Sequence, residues 1–332
     1  MEYVLPGIPY LKLRFVFTAP GAAMLPQFKG SMLRGAFGHA LKRTVCVMTP
    51  KQPCENCMLR GQCVYTRIFE TFIEGSPPPF LKGVQTAPRP FIIDAFDEQT
   101  EYEKGRELTF GLTLLGAACQ LYPYVIFAFH KAGEKGFTAR SHPFRLQRVL
   151  WHDTAFAAAE EKADGRKILY DGATQTLLDT PLPRSPEPAN AIATPVTLQF
   201  LTPTRMKFNG HYGMEFTFRQ LVFKMLRRVL EIAHFHIPEA QPDWDFHDYL
   251  VAADRVRITG FNLHWQDWHR YSNRQKTDME MGGFVGEITL EGEVEPFAHL
   301  LKISEVLHVG KGTVFGLGKV RVEKLQSFLD EE

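Results

Sequence analysis

HVGKGTVFGLGKVRV, residues 308–322, sets glycines at 310, 312, 316 and 318 and lysines at 311 and 319. It lies between a helical apolar pattern, EPFAHLLKISEVLH (295–308), and a strand pattern, VFGLGKVRVEKL (314–325). A Walker-type phosphate cradle needs GxxxxGK[ST] on a turn from strand into helix, where backbone N–H groups meet the phosphates. Here Gly318-Lys319 is followed by Val320 and the order runs from helix to strand, so both requirements fail. The dinucleotide fingerprint fails on the same context, and no nucleotide cofactor is expected. What remains is a plain tight turn, which two glycines would satisfy, or a loop whose backbone approaches a phosphodiester while Lys311 and Lys319 supply charge.

Working outward, the second half reads as strand (TPVTLQFL, 194–201), helix (216–235), two strands (255–265 and 282–292), the helix before the glycine loop and the strand after it. Phe218, Leu221, Val222, Met225, Val229 and Ile232 form the buried stripe of the first helix. The first half has the same order. Leu11, Leu13, Phe15 and Phe17 alternate as in a half-buried strand, and Met32, Leu33, Phe37 and Leu41 recur at helical spacing. Strands at 91–96 and 108–115, a helix at 121–131 and a closing strand near 144–149 complete it, with a hairpin region after. Two βαββαβ halves define an α+β protein of tandem ferredoxin-like (RRM-like) domains. The expected boundaries are 1–180, carrying a Cys-rich insertion at 46–63, a Pro-rich linker at 181–194, and 195–332, carrying the glycine loop at 310–318.

At 332 residues and 45 % hydrophobic, the chain can bury a sizeable core, and a net charge of +1 excludes a globally basic nucleic-acid binder. Any polyanion site must come from local clusters. The start, MEYVLPGIPYLKL, lacks a basic n-region and no apolar run approaches the ~20 residues of a spanning helix, so a cytoplasmic protein without membrane contact is expected.

The glycine loop, RYSNRQ (270–275), GGFVGEI (282–288) and the tandem order resemble the CRISPR-associated RAMP endoribonucleases that process precursor crRNA. KGSMLRGAFGHALK (29–42), the cysteines after it and GEKGFTARSHPFRLQRV (133–149) resemble one branch of that family. The resemblance implies a metal-independent cut of CRISPR repeat RNA by the nucleotide's own 2′-OH, leaving a 2′,3′-cyclic phosphate and a 5′-OH. It implies repeat RNA or crRNA as partner, with other CRISPR effector subunits as further partners. The alternatives are a non-catalytic RAMP subunit that holds crRNA in an effector complex, and a zinc-braced protein-interaction module.

Such chemistry needs proton transfer at two oxygens and cations for the phosphorane. His39 is the first choice for a catalytic group: it lies on the first helix, which in related RAMP nucleases contributes such groups, with Lys42 three residues on. The bland reading is an exposed helix histidine on a basic face. His211, in TPTRMKFNGHYG (202–213), is the rival, and its bland reading is a polar hairpin turn at Asn209-Gly210. The RNA-binding set is Lys29, Arg34, Arg43, Arg205, Lys207, Arg270, Tyr271, Arg274, Lys276, Gly310, Lys311, Gly312, Gly316, Gly318 and Lys319. Arg219, Lys224, Arg227 and Arg228 read as a solvated helix face.

Cys46, Cys54, Cys57 and Cys63 follow C-x7-C-x2-C-x5-C, a spacing that suits structural zinc. An iron–sulfur cluster and metal-free thiols are the alternatives. Such a metal braces a loop, and no catalytic metal is expected. Cys119 reads as an ordinary buried thiol.

Overall fold

The computed structural model describes residues 4–48, 52–73, 75, 81, 84, 86–138, 142–152, 166–187, 191–237, 239, 246–267, 269–272 and 277–326. The chain forms two compact units, Pro9–Arg184 and a second made of Met1–Ile8 with Ser185–Glu332. The division therefore falls inside the 181–194 segment, but residues 1–8 join the C-terminal unit and not the N-terminal one expected of them.

The N-terminal unit runs β1 (Tyr10–Thr18), β2 (Ala23–Met24), α1 (Lys29–Val45), α2 (Val64–Ile68), β3 (Phe91–Asp94), β4 (Glu101–Tyr102), β5 (Glu107–Leu115), α3 (Tyr122–Lys135), β6 (Arg145–His152), β7 (Arg166–Asp171) and β8 (Thr176–Leu177). Its main sheet has the antiparallel order β3-β5-β1-β6, the ferredoxin-like arrangement, extended at one edge by the β7–β8 hairpin. Alternation along β1 dictates the layering: Phe15 lies opposite Phe110 of β5 and Val149 of β6, which puts all three on one face, while Arg14 between is exposed. Phe129 of α3 meets Phe15 at 4.9 Å, Phe110 at 5.1 Å and Phe37 of α1 at 4.8 Å between ring centroids. Burying each such ring stabilises the unit by about 1.5–3 kcal/mol, and this cluster fixes α1 and α3 on one side of the sheet.

The C-terminal unit runs β9 (Ala191–Thr204), β10 (Lys207–Phe208), β11 (His211–Tyr212), α4 (Phe218–His236), α5 (Phe246–Ala252), β12 (Val256–Gln266), β13 (His269–Ser272), β14 (Thr277–Glu280), β15 (Gly283–Gly292), α6 (Ala298–Leu307) and β16 (Val320–Gln326). Its four-stranded sheet has the same order, β12-β15-β9-β16, so the second ferredoxin-like unit repeats the first. Thr217 starts α4 with a capping box: its hydroxyl accepts from the Gln220 N–H at 3.2 Å and its own N–H donates to the Gln220 side chain at 3.0 Å. All six expected stripe residues of α4 are buried.

Three expectations shift. β9 begins at residue 191, inside the stretch expected as linker. The last strand begins at Val320, because Thr313–Phe315 form a 3₁₀ turn and Gly316 is left-handed. Helix α5 was not expected, since seven residues carry too little periodicity to declare themselves.

Candidate nucleic-acid interface

The glycine loop of the C-terminal unit is closed by its own backbone. Val309 N–H donates to Gly318 O at 2.8 Å, Gly318 N–H to Pro203 O at 3.1 Å and Lys311 N–H to Arg205 O at 2.9 Å. The Thr202 hydroxyl donates to Gly316 O at 3.0 Å and accepts from Lys319 N–H at 2.9 Å. A Cβ on Gly318 would lie 1.8 Å from Val309 O, and its φ of +73° is the left-handed region. Gly316 and Gly318 are also buried, so they shape the loop and offer RNA no surface, which corrects their assignment as contacts. Gly310 and Gly312 remain half-exposed at its rim.

That loop presents Lys311 beside the β10–β11 hairpin, whose turn at Asn209-Gly210 is left-handed at both residues. Tyr212 is the centre of the cluster: Arg205, Lys207 and Lys311 lie 4.1, 5.0 and 5.7 Å from its ring centroid. Burial pushes the Tyr212 phenol up, but hydrogen bonds from Arg205 and Lys311 and their charges outweigh it, and the net shift is downward. Lys207, His211 and Lys311 are exposed, and Lys319 is half-exposed. A ring with three cations around it is chemistry suited to stacking a base while phosphates are neutralised.

On α1 the expected residues part company. His39 and Arg43, one turn apart, are exposed together, while Lys42 turns to the other side. Lys42 lies 5.6 Å from the Tyr65 ring centroid and hydrogen-bonds Cys54, so it is not placed as the partner of His39. Lys29 is fully buried; its ammonium donates to Asp97 O at 2.5 Å and Gln99 O at 2.6 Å, so its assignment to RNA is corrected. Burial lowers its pKa, against the charges of Asp97 and Glu98. Arg34 is half-buried with its guanidinium 4.5 Å from the Phe69 ring centroid. Arg270 and Tyr271 lie on β13, paired with Met279 and Asp278 of β14. Arg274 and Lys276 fall outside the described residues.

Two family models divide the chain. AF_1859_N, an N-terminal domain, matches residues 8–182, more than half of the chain, and the CRISPR-associated endoribonuclease Cas6 matches residues 198–320. The Cas6 match lies in the second half of the chain alone. Through its first half it belongs to the AF_1859_N family. A Thermus thermophilus Cas6 in its product complex is similar in fold, at 17 % identity and a TM-score of 0.52, over 95 % of this chain and 99 % of that one. A Cas6-RT-Cas1–Cas2 complex is similar at 12 % identity and a TM-score of 0.52; the match covers 99 % of this chain and 48 % of the other. An uncharacterized protein of Archaeoglobus fulgidus is 24 % identical over 303 residues, 90 % of this chain and 92 % of that protein.

In the half that matches Cas6, two cations expected on a solvated helix face lie toward the glycine loop. Lys224 and Arg228 of α4 turn to the glycine loop, and Arg228 Nη2 donates to the Thr313 hydroxyl at 3.1 Å. The pattern held the signal: Arg228 lies seven residues after Leu221 and four before Ile232, on the flank of the apolar stripe.

The four cysteines of the insertion are half-exposed free thiols. Burial raises the Cys54 thiol, with Lys42 beside it opposing. Among the described residues no three His, Cys, Asp or Glu side chains come together to hold a metal ion, so this arrangement does not fit the expected tetrahedral set, although thiolate donors suit zinc. Cys119 is buried, its thiol pushed up to about 12 by desolvation, as an inert core cysteine should be. Among the described residues no helix is long and apolar enough to cross a membrane.

Proposed function

We propose that the chain is an endoribonuclease that cuts CRISPR repeat RNA to generate crRNA. The observation that carries this is the cationic surround of Tyr212, built from the glycine loop and the β10–β11 hairpin of a Cas6 domain. RNA lies along it with a base on the Tyr212 ring and its phosphates on Lys207, Arg205 and Lys311.

Cleavage takes the 2′-OH of one nucleotide as nucleophile. Its oxygen bonds to phosphorus as its proton leaves to a base, and the P–O5′ bond breaks as that oxygen gains a proton, giving a 2′,3′-cyclic phosphate and a 5′-OH. His39 is the proton-transfer group, supported by its exposure on α1 and by the two ring nitrogens of an imidazole, one able to accept a proton and the other to donate. Arg43, exposed one turn on, replaces Lys42 as the cation for the phosphorane. Gly35, one turn before His39, has open space where a side chain would be, which leaves room for a sugar–phosphate backbone.

The test is incubation of wild type and H39A with the repeat RNA of the protein's own locus, in EDTA, with analysis of product ends. H39A should lose cleavage by about 100-fold or more and retain binding. Unchanged cleavage by H39A sinks the assignment and turns attention to His211. Tight binding with no cut by wild type favours a crRNA-holding subunit. Either role is compatible with other CRISPR proteins as partners, as in the complex that the fold resembles.

A further inference from the structure

Among the described residues no carboxylate forms an ion pair with Arg228. Its Nε is buried with no hydrogen-bond partner, and its one hydrogen bond, through Nη2, goes to a neutral hydroxyl, that of Thr313. Burial lowers its pKa to about 10, with Glu231 opposing. Glu231 does not pair with it: that carboxylate accepts from Arg227 Nε at 2.9 Å. Lys224, one turn earlier on α4, is itself pushed down by burial and then by the charges of Arg227 and Lys311. Arg228 thus meets the turn Thr313–Phe315, which Gly312 and Gly316 bracket in left-handed conformations, and Lys224 is near enough to Lys311 to feel its charge; among the described residues none of the three cations forms an ion pair with an acid.

A buried charge left unpaired is costly, and a fold keeps one where something outside the protein supplies the opposite charge. We infer that Arg228, Lys224 and Lys311 form a phosphate subsite against the Thr313 turn, so that one RNA backbone phosphate is held by α4 as well as by the glycine loop; the inference rests on the RNA-binding reading above. Arg228 offers a planar fork with an unused N–H, the geometry that suits phosphate oxygens. Thr313 holds that fork in place.

The subsite is tested with R228M, which keeps the length of the side chain and discards its charge. Binding of fluorescein-labelled repeat RNA is measured from 50 to 300 mM salt. R228M should bind about tenfold more weakly at 100 mM salt, and the slope of log affinity against log salt should fall by about one, as for one lost phosphate contact. Its melting temperature without RNA should equal or exceed that of wild type. R228K should keep the slope. K224M, at a half-exposed position, carries the same slope expectation and serves if R228M does not fold. Wild-type affinity and slope in R228M, or a loss of affinity with the slope intact, overturns the subsite and leaves Arg228 as a brace for the loop. Failure of wild type to bind RNA at all refutes the functional reading instead; inorganic phosphate then probes the subsite, and an equal rise in melting temperature for wild type and R228M overturns it.

Discussion

Gly35 and Gly38 lie three residues apart on α1 and should respond in opposite ways to alanine. Gly38 packs under Phe69, where a Cβ would meet three ring carbons at 2.2, 2.6 and 2.7 Å, over an ångström inside a normal carbon–carbon contact. The ring has little room to retreat. Tyr65 and Phe91 stack beside it at 5.4 and 6.2 Å, and the guanidinium groups of Arg34 and Arg89 lie 4.5 and 5.8 Å from its centroid. Overpacking of this kind costs about 1–3 kcal/mol, while replacing helical Gly by Ala returns up to about 1 kcal/mol. With the full return, the net for G38A is a loss of up to about 2 kcal/mol, or up to roughly 8 °C in melting temperature for a unit of this size. At Gly35 a Cβ meets nothing within 4 Å, so G35A should gain the helix-propensity term alone, a rise of roughly 2–4 °C. Thermal unfolding followed by circular dichroism separates the two variants. Shifts of the same sign would refute the packing argument. If the Gly35 face receives RNA, G35A should also lower cleavage while raising stability.

K29M removes an ammonium that serves two backbone carbonyls, so it should cost about 1–3 kcal/mol for the oxygens left unsatisfied; RNA affinity of the folded fraction should not change, and a binding loss at full folding would restore Lys29 to the interface. The hydrogen bond from Lys131, followed by its charge and by His130, holds the Glu134 carboxyl below its ordinary value against burial that raises it. A depressed carboxyl contributes stability that is present above its unfolded pKa and lost as pH falls through the folded one. Unfolding of wild type should therefore ease below about pH 4.3, and E134Q should lose part of that dependence; identical pH profiles would remove Glu134 from the account.

The fold was legible because both halves repeat one order of long, periodic elements, and period two in β1 or period 3.6 in α4 survives burial unchanged. Exposure was legible where it follows from a residue's own helix, as for His39 and Arg43. Lys29 was not, because the carbonyls of Asp97 and Gln99 that bury it come from a loop 68 and 70 residues away. Lys42 differs from Arg43 by 100° of helix rotation, and only the position of Tyr65 decides which of the two is free to serve His39. Arg228 had its signal in the stripe, but a charge on an apolar flank reads as solvated unless something is known to cover it. The glycine spacing at 310–318 did not reveal that Gly318 packs on Val309 and that Gly316 O accepts from Thr202, so both serve the loop's own closure.

The crossing ties the glycine loop to the end of β9: Pro203 and Arg205 accept from Gly318 and Lys311, and Thr202 bonds both Gly316 and Lys319. These partners are separated by more than a hundred residues of chain, so the pairing is among the last that synthesis makes available. Until β16 is docked, Arg205 and Lys207 have no Lys311 beside them and Arg228 has no Thr313. The cationic surround of Tyr212 is therefore completed in a single step, the docking of the glycine loop against the end of β9.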